Sequence, residues 1–332
     1  MTIIVTGAAG FIGFHYSQML INQGLNVIGV DNLNDYYSPE LKKLRLFNLE
    51  KQKSFSFLNV DISDKDSISA LIGKHKPQTI VHLAAQAGVR LPLTEYQRYV
   101  QSNLIGFSNI ALSAAENNVA NLLYASSSSV YGNSTNLPYK ESNRDLQQIS
   151  FYGATKYSNE ILSYSLSQTT GMKTRGMRFF TVYGPMGRPD MAYFRLIHSA
   201  ISGKSFELYG DGSIRRDFTY ISDVVKSIKL LSEDLGSRTP GFADVVNIGG
   251  GKPNSMVELI ECINKIADTK ISILSKNAFS ADVRETLADC ELQLNLTGFV
   301  PEVTLEEGIN QVYKWATGSE ISPKLSSWVD SH

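Results

Sequence analysis

Cysteine is nearly absent. Cys262 and Cys290 are the only two among 332 residues. Two thiols cannot build a disulfide framework, and their scarcity fits a reducing compartment, so a cytoplasmic location is expected. Five histidines and two cysteines show no metal-ligand spacing, and no metal site is expected. An excess of one charge is also missing, with 31 Lys+Arg against 32 Asp+Glu and a net charge of -1. Without a basic field, neither a nucleic-acid partner nor an anionic membrane surface is expected. No apolar run approaches a bilayer span. Thr2-Ile3-Ile4-Val5-Thr6 is apolar but has no basic start and runs straight into glycines, so no secretory signal is expected there. Internal repeats and low-complexity tracts are lacking too.

What is present is a core-forming chain, 42% hydrophobic, enough for one large domain or two modest ones. Its first half alternates short β-rich runs with helical stretches. Strands are predicted at Ile3–Val5, Asn26–Val30, Phe55–Leu58, Thr79–Leu83, Asn121–Ala125 and Thr174–Phe179. Continuous apolar runs of this length suit strands buried on both faces. Helices are predicted at Phe11–Gln23, Lys65–His75, Asn103–Asn117 and Phe151–Gln168. Such alternation specifies an α/β fold with a doubly wound parallel sheet. Past Gly184-Pro185 the alternation stops. Ser255-Met256-Val257-Glu258 and Thr304-Leu305-Glu306-Glu307 read as capping boxes. Asp244–Ile248 reads as one more buried strand. The expected division is residues 1–180, with part of 215–250 interleaved, and a smaller α/β domain over 181–332. A ligand cleft is expected between them.

Gly7-Ala8-Ala9-Gly10-Phe11-Ile12-Gly13 follows the first strand and opens the first helix. Glycine permits the tight turn and the close approach, and the helix N-terminus offers N–H groups and a positive dipole end to a pyrophosphate. The loop has one residue more before its second glycine than the GxGxxG fingerprint. Asp31 ends the second strand about 20 residues on, where a carboxylate accepts ribose hydroxyls and repels a 2′-phosphate. NAD is therefore expected rather than NADP, in a Rossmann-type domain. Asn32 adjoins this acid. Asp61-Ile62 ends the third strand, where Asp61 either reaches the adenine amine or caps a helix. Leu83-Ala84-Ala85 ends the fourth strand with small residues that let backbone approach a flat cofactor.

Tyr152 and Lys156 lie four apart on one helix face. A phenol with an ordinary pKa of about 10 is a poor base at neutral pH. A neighbouring cation, helped by an oxidised nicotinamide, would lower it. Tyr152 could then take a hydroxyl proton while hydride leaves the same carbon, and Lys156 could also hold the nicotinamide ribose. Ser126–Ser129 ends the fifth strand, where side chains face the ligand crevice. A hydroxyl there either bonds the substrate oxygen or simply finishes a polar strand end.

Together the glycine loop, Asp31, the serine run and Tyr152/Lys156 resemble the extended short-chain dehydrogenase/reductase family, over nearly the whole chain. Three stretches are similar to UDP-glucuronate 4-epimerases in particular: Asp31–Tyr37, His82–Arg90 and Arg178–Pro185, the last running on through Gly187-Arg188-Pro189-Asp190. The resemblance implies a UDP-sugar substrate and transient oxidation of its carbon 4 by tightly held NAD. It places Ser127 at the catalytic Ser/Thr position. It makes Arg90, Ser128, Ser129, Thr181 and Arg188 candidates for the sugar, with Arg188 facing a carboxylate or else bracing a loop. It assigns Arg216 to the diphosphate, against a plain ion pair with Asp217, and Asp282 to the uridine ribose. It also implies a homodimer built on the helices at 103–117 and 151–168.

Related dehydratases carry Asp-Glu before the Val-Tyr-Gly segment, and decarboxylases a Glu. Ser128 and Ser129 stand there instead, which favours epimerisation. Met186 replaces a tryptophan, Leu91–Thr94 differs from the usual sequence after Arg90, and Ala281 and Arg284 replace glycine and proline near the uridine site. These departures keep epimerisation of UDP-glucose or its N-acetylated form as the alternative. A non-catalytic NAD-binding regulator would usually lack the Tyr/Lys pair.

Overall fold

The computed structural model describes residues 2–143, 146–277 and 283–330. In chain order its elements are β1 (Thr2–Thr6), α1 (Phe11–Asn22), β2 (Asn26–Asp31), α2 (Pro39–Glu50), β3 (Phe55–Asn59), α3 (Lys65–His75), β4 (Thr79–His82), α4 (Tyr96–Tyr99), α5 (Phe107–Glu116), β5 (Asn121–Ser127), α6 (Phe151–Thr170) and β6 (Lys173–Phe179). There follow β7 (Thr181–Tyr183), α7 (Ala192–Ser202), β8 (Phe206–Tyr209), β9 (Arg215–Tyr220), α8 (Ile221–Ser237), β10 (Ala243–Ile248), β11 (Pro253–Ser255), α9 (Met256–Ala267), β12 (Ile273–Lys276), α10 (Glu291–Thr297), α11 (Leu305–Ala316) and α12 (Leu325–Asp330).

Seven strands form one sheet in the order β10-β6-β5-β4-β1-β2-β3, each neighbouring pair parallel. Alternate residues feed opposite faces, as the strand period of two requires. Ile4, Ile28, Ile80 and Leu122 pack with Ile68, Ile72 and Ile110 of α3 and α5. Ile3, Val5, Val27, Val81 and Leu123 pack with Leu20 of α1 and Val224, Ile228 and Leu231 of α8. Both faces are thus covered by helices, which is why the strands read as unbroken apolar runs. Strand order reverses between β1 and β4, and a crevice opens beyond their C-terminal ends.

The run ending at Ile248 does join this sheet. β10 lies beside β6, pairing Ala243 with Thr174 through Ile248 with Phe179. Between them the chain builds part of a second apolar cluster, where Tyr183, Tyr193 and Phe218 meet Leu259, Ile263, Ile309, Val312 and Trp328. Both expected capping boxes form, Ser255 with Glu258 and Thr304 with Glu307.

One helix differs from expectation. The segment expected to begin at Asn103 is already helical from Tyr96, and Val100–Gly106 is wound as a π-helix before α5. Asn103 uses this stretch to bracket Gln86. Its Oδ1 accepts the Gln86 N–H at 2.8 Å, and its Nδ2 donates to Gln86 O and Thr155 Oγ1, each at 3.1 Å. π-turns of this kind are frequent at functional sites. Among the described residues, no helix is long and apolar enough to cross a membrane. No group of His, Cys, Asp and Glu there could hold a metal ion.

A buried and a half-buried histidine couple this fold to pH. His82 Nδ1 shares a 2.7 Å hydrogen bond with Thr6 Oγ1. Burial, reinforced by the Lys156 charge, brings its pKa down to about 3. His15 Nε2 bonds the Pro185 carbonyl at 2.9 Å, and burial lowers its pKa to about 4. Both folded values lie below the ordinary 6.5, so the neutral imidazoles contribute stability above pH 6.5 that is lost as pH falls through that window. The melting temperature should drop on acidification from pH 6.5 towards 4. The slope should be shallower in His82→Gln; a slope unchanged by calorimetry would remove His82 as its source.

Candidate active site

The crevice is built first by the glycine loop. Gly7 has φ +70°, and a Cβ on it would lie 2.8 Å from Ala84 N. A Cβ on Gly13 would stand 2.0 Å from the Gly7 carbonyl oxygen. Only glycine allows the first turn of α1 to sit against the loop in this way. α1 has no side-chain cap and no acid in its first turn, so its N–H groups and dipole are left for an anion. Asp31 closes β2 beside the loop, its Oδ2 accepting Ala9 N–H at 3.1 Å and its Oδ1 accepting Leu33 N–H at 2.9 Å.

Most residues expected for the cofactor line one cleft: Gly7, Gly10, Phe11, Ile12, Gly13, Asp31, Asn32, Ile62, Leu83, Ala84, Ala85, Tyr152 and Lys156. Asp61 does not. Its Oδ1 accepts from the N–H and hydroxyl of Ser63, and its Oδ2 accepts from Asn32 Nδ2 at 2.8 Å. Asp64, not Asp61, caps α3. Through the Asn32 bond Asp61 also helps to hold a residue that lines the cleft.

Two basic residues of α2 escape sequence reasoning. Lys42 lines the cleft, donating at 2.7 Å to both the carbonyl and the side-chain oxygen of Asn34. Burial brings its pKa down to about 8. Arg45 is fully buried and donates to Ala9 O, Tyr37 Oη, Met186 O and Gly187 O. It ties the glycine loop to the segment that carries Arg188. The signal available in the sequence was Ser38-Pro39-Glu40, a helix start with proline at the first position.

At the other end of the cleft, Ser150 caps α6 by accepting Gly153 N–H at 3.0 Å. The next residues of the helix present Tyr152 and Lys156 to the cleft. Lys156 Nζ donates to Ala125 O at 3.1 Å and lies 5.9 Å from the Tyr152 ring centroid. Burial brings the lysine down to about 8. Burial also raises the Tyr152 pKa, against which the Arg188 charge and the Ser127 hydroxyl act to lower it. In this structure desolvation wins, and the cation that opposes it is Arg188.

The candidates for the sugar divide. Ser127, Tyr152 and Arg188 line the cleft, with Ser126 and Tyr36 beside them. Ser127 Oγ also accepts Ser129 N–H at 3.1 Å, so Ser128 and Ser129 belong to the short 3-10 turn behind it. Thr181 starts β7 opposite Phe218, while its neighbours Phe180 and Val182 reach the cleft. Arg90 is exposed and outside the lining. Arg216 Nη1 donates to Arg215 O and Val283 O. It does not make the plain pair with Asp217, whose buried carboxylate accepts the N–H groups of Gly250, Gly251 and Ala288. Asp282 lies outside the described residues. Arg188 aims Nε and Nη2 at Asp190, with Nε–Oδ1 at 3.0 Å, and its guanidinium lies 5.8 Å from the Tyr36 ring centroid.

A dinucleotide cradle thus opens onto a phenol, an ammonium and a serine, the set needed to move a proton at a carbon that exchanges hydride. A UDP-glucuronate 4-epimerase of Thermodesulfobacterium geofontis is 37% identical over 94% of this chain and 95% of its own length. The UDP-glucuronic acid 4-epimerase of Bacillus cereus, solved with UDP-glucuronic acid and NAD, superposes with a TM-score of 0.88 at 31% identity, covering 95% of this chain and 98% of that one. A UDP-glucose 4-epimerase of Thermotoga maritima, solved with UDP-glucose, reaches 0.85 at 29% identity, covering 95% and 98%. Residues 3–249 match the NAD dependent epimerase/dehydratase family, and the chain belongs to it.

Proposed function

We propose that the chain inverts carbon 4 of a UDP-sugar with NAD as a retained cofactor, converting UDP-glucuronate to UDP-galacturonate. The observation that carries this is the convergence of Tyr152, Ser127 and Lys156 with Arg188 in the cleft that the glycine loop opens. Bound NAD supplies the hydride acceptor and donor at that carbon. The protein's part is to hold and to move the proton. α1 and Lys42 face the pyrophosphate, Asp31 and Asn32 the adenosine ribose, Ile62 and Leu83–Ala85 the flat rings, and Lys156 the nicotinamide ribose. Tyr152 takes the proton of the sugar 4-hydroxyl, with Ser127 bonding the same oxygen, and returns it after the ketosugar has turned over. Arg188 faces the sugar carboxylate. Residues 1–180, with part of 215–250, hold the cofactor, and 181–332, including Arg216 and Asp282, hold the nucleotide sugar. Apolar side chains left exposed on α5 and α6, such as Leu112, Ile161 and Tyr164, support a homodimer packed through these helices.

The test is a product assay over a panel of UDP-sugars. UDP-galacturonate should form from UDP-glucuronate without added NAD. Turnover of neutral UDP-sugars alone would overturn the sugar assignment. That second reading, a neutral-sugar 4-epimerase, is favoured by one feature, the Asp190 carboxylate already seated on Arg188.

A further inference from the structure

The arginine at the sugar end of the cleft is not a bare charge. Arg188 lines the cleft while Asp190 does not. The carboxylate takes the Nε and Nη2 donors of the guanidinium. Both side chains are about one-fifth exposed, 22% and 20%, so solvent screens the pair only in part. Burial works against the guanidinium charge, and the Asp190 carboxylate is the foremost of the groups that uphold it. The Tyr36 ring lies 5.8 Å from the guanidinium, whose charge is also felt by the phenols of Tyr99 and Tyr152 and by the Lys42 ammonium. Arg45 fixes the carbonyls of Met186 and Gly187 just before it, so the pair is held on an anchored segment.

We infer that Asp190 is a positioning residue that acts through Arg188: it aims the guanidinium into the cleft, offsets part of its charge, and so sets how strongly the site prefers a charged to a neutral sugar. The inference rests on the reading of this cleft as a UDP-sugar site. Its physical basis is competition. Two carboxylates that share one guanidinium each bind it less tightly than either would alone. A partly offset arginine accepts a uronate without gripping it. That suits a reaction in which the ketosugar must leave one orientation and adopt another before hydride returns. A lone guanidinium in the same place would bind the charged sugar more firmly and release it more slowly.

Asp190→Asn keeps the size and an acceptor for Arg188 but removes the charge. Calorimetric binding of UDP-glucuronate and UDP-glucose to the purified, NAD-loaded protein gives the preference whether or not either sugar is turned over. Failure of the sugar assignment and failure of this inference are therefore read separately. The ratio of affinities should shift towards UDP-glucuronate by roughly three- to tenfold. Where UDP-glucuronate is turned over, its KM and kcat should fall together, and Asp190→Glu should restore the parent ratio. An unchanged ratio, equal changes for both sugars, or a shift towards UDP-glucose would each overturn the inference. If Asp190→Asn does not fold by its melting curve, Asp190→Ser carries the same comparison. Loss of fold in both would make Asp190 a structural anchor and would also overturn it.

Discussion

Tyr152→Phe should abolish epimerisation, with a loss of about 10²- to 10⁴-fold, while NAD remains bound. The substitution deletes one hydroxyl and leaves the ring, which packs 6.0 Å from the Tyr99 ring. Nothing in the glycine loop or around Asp31 depends on that hydroxyl. Burial holds the phenol above its ordinary pKa, and Arg188 and Ser127 oppose the shift, so the protein alone does not make Tyr152 a strong base at neutral pH. An oxidised nicotinamide brings a further positive charge, which favours the phenolate in the loaded enzyme. The variant should therefore retain its cofactor, read by release on denaturation, and show no interconversion by NMR of the UDP-sugars. Activity within tenfold of the parent would assign the proton to another group in the cleft, Lys156 or Tyr36 foremost.

The parts of the site legible in the sequence were those written as local pattern. A glycine loop after a strand, an acid at the end of the next strand, and a Tyr/Lys pair four apart all carry their geometry in their spacing, and the fold brings them to one crevice. The parallel sheet was legible because its strands are buried on both faces. α2 was not, because its inward stripe is Leu41, Lys42, Arg45, Leu46 and Leu49. Two cations interrupt the apolar face, and each is compensated only by partners distant in sequence or held in a turn, such as Ala9 O and Asn34. A strand-end acid such as Asp61 reads alike whether it faces a ligand or its own turn, and the donors that Ser63 and Asn32 turn on it are not written as a pattern. Asp217 shows the same ambiguity, since the N–H groups that claim its carboxylate lie 33 residues or more along the chain.

Beneath the site lies a second charged group that the proposed chemistry does not use, and its removal should be the largest stability change in the molecule. Glu160 follows Lys156 by one turn of α6 and accepts Arg178 Nε at 2.9 Å and Nη2 at 2.7 Å. Ser126 Oγ donates to the same carboxylate. The side chains of Glu160 and Arg178 are only 6% and 3% exposed, and Arg178 also lies 4.8 Å from the Tyr131 ring centroid. Glu160→Gln keeps the shape but removes the carboxylate bonded to a buried guanidinium, leaves only the less direct Glu141 charge, and turns an NH₂ towards its N–H groups. Breaking one side of such a pair costs about 3–5 kcal/mol, a large share of the stability of an ordinary domain. Glu160→Met combined with Arg178→Met removes both charges and should recover much of that loss, because the desolvation of each ion disappears with its partner. Urea unfolding of the three proteins decides it. If Glu160→Gln lies within about 1 kcal/mol of the parent, water reaches the pair and the burial argument fails. The double variant carries a further consequence for function. Ser126 loses its acceptor between Ala125, whose carbonyl holds Lys156, and Ser127, which lines the cleft with Tyr152. A stable double variant should therefore fold well and still turn over more slowly than the parent, because the strand end that aligns the Tyr/Lys pair is no longer tied to α6 at Glu160.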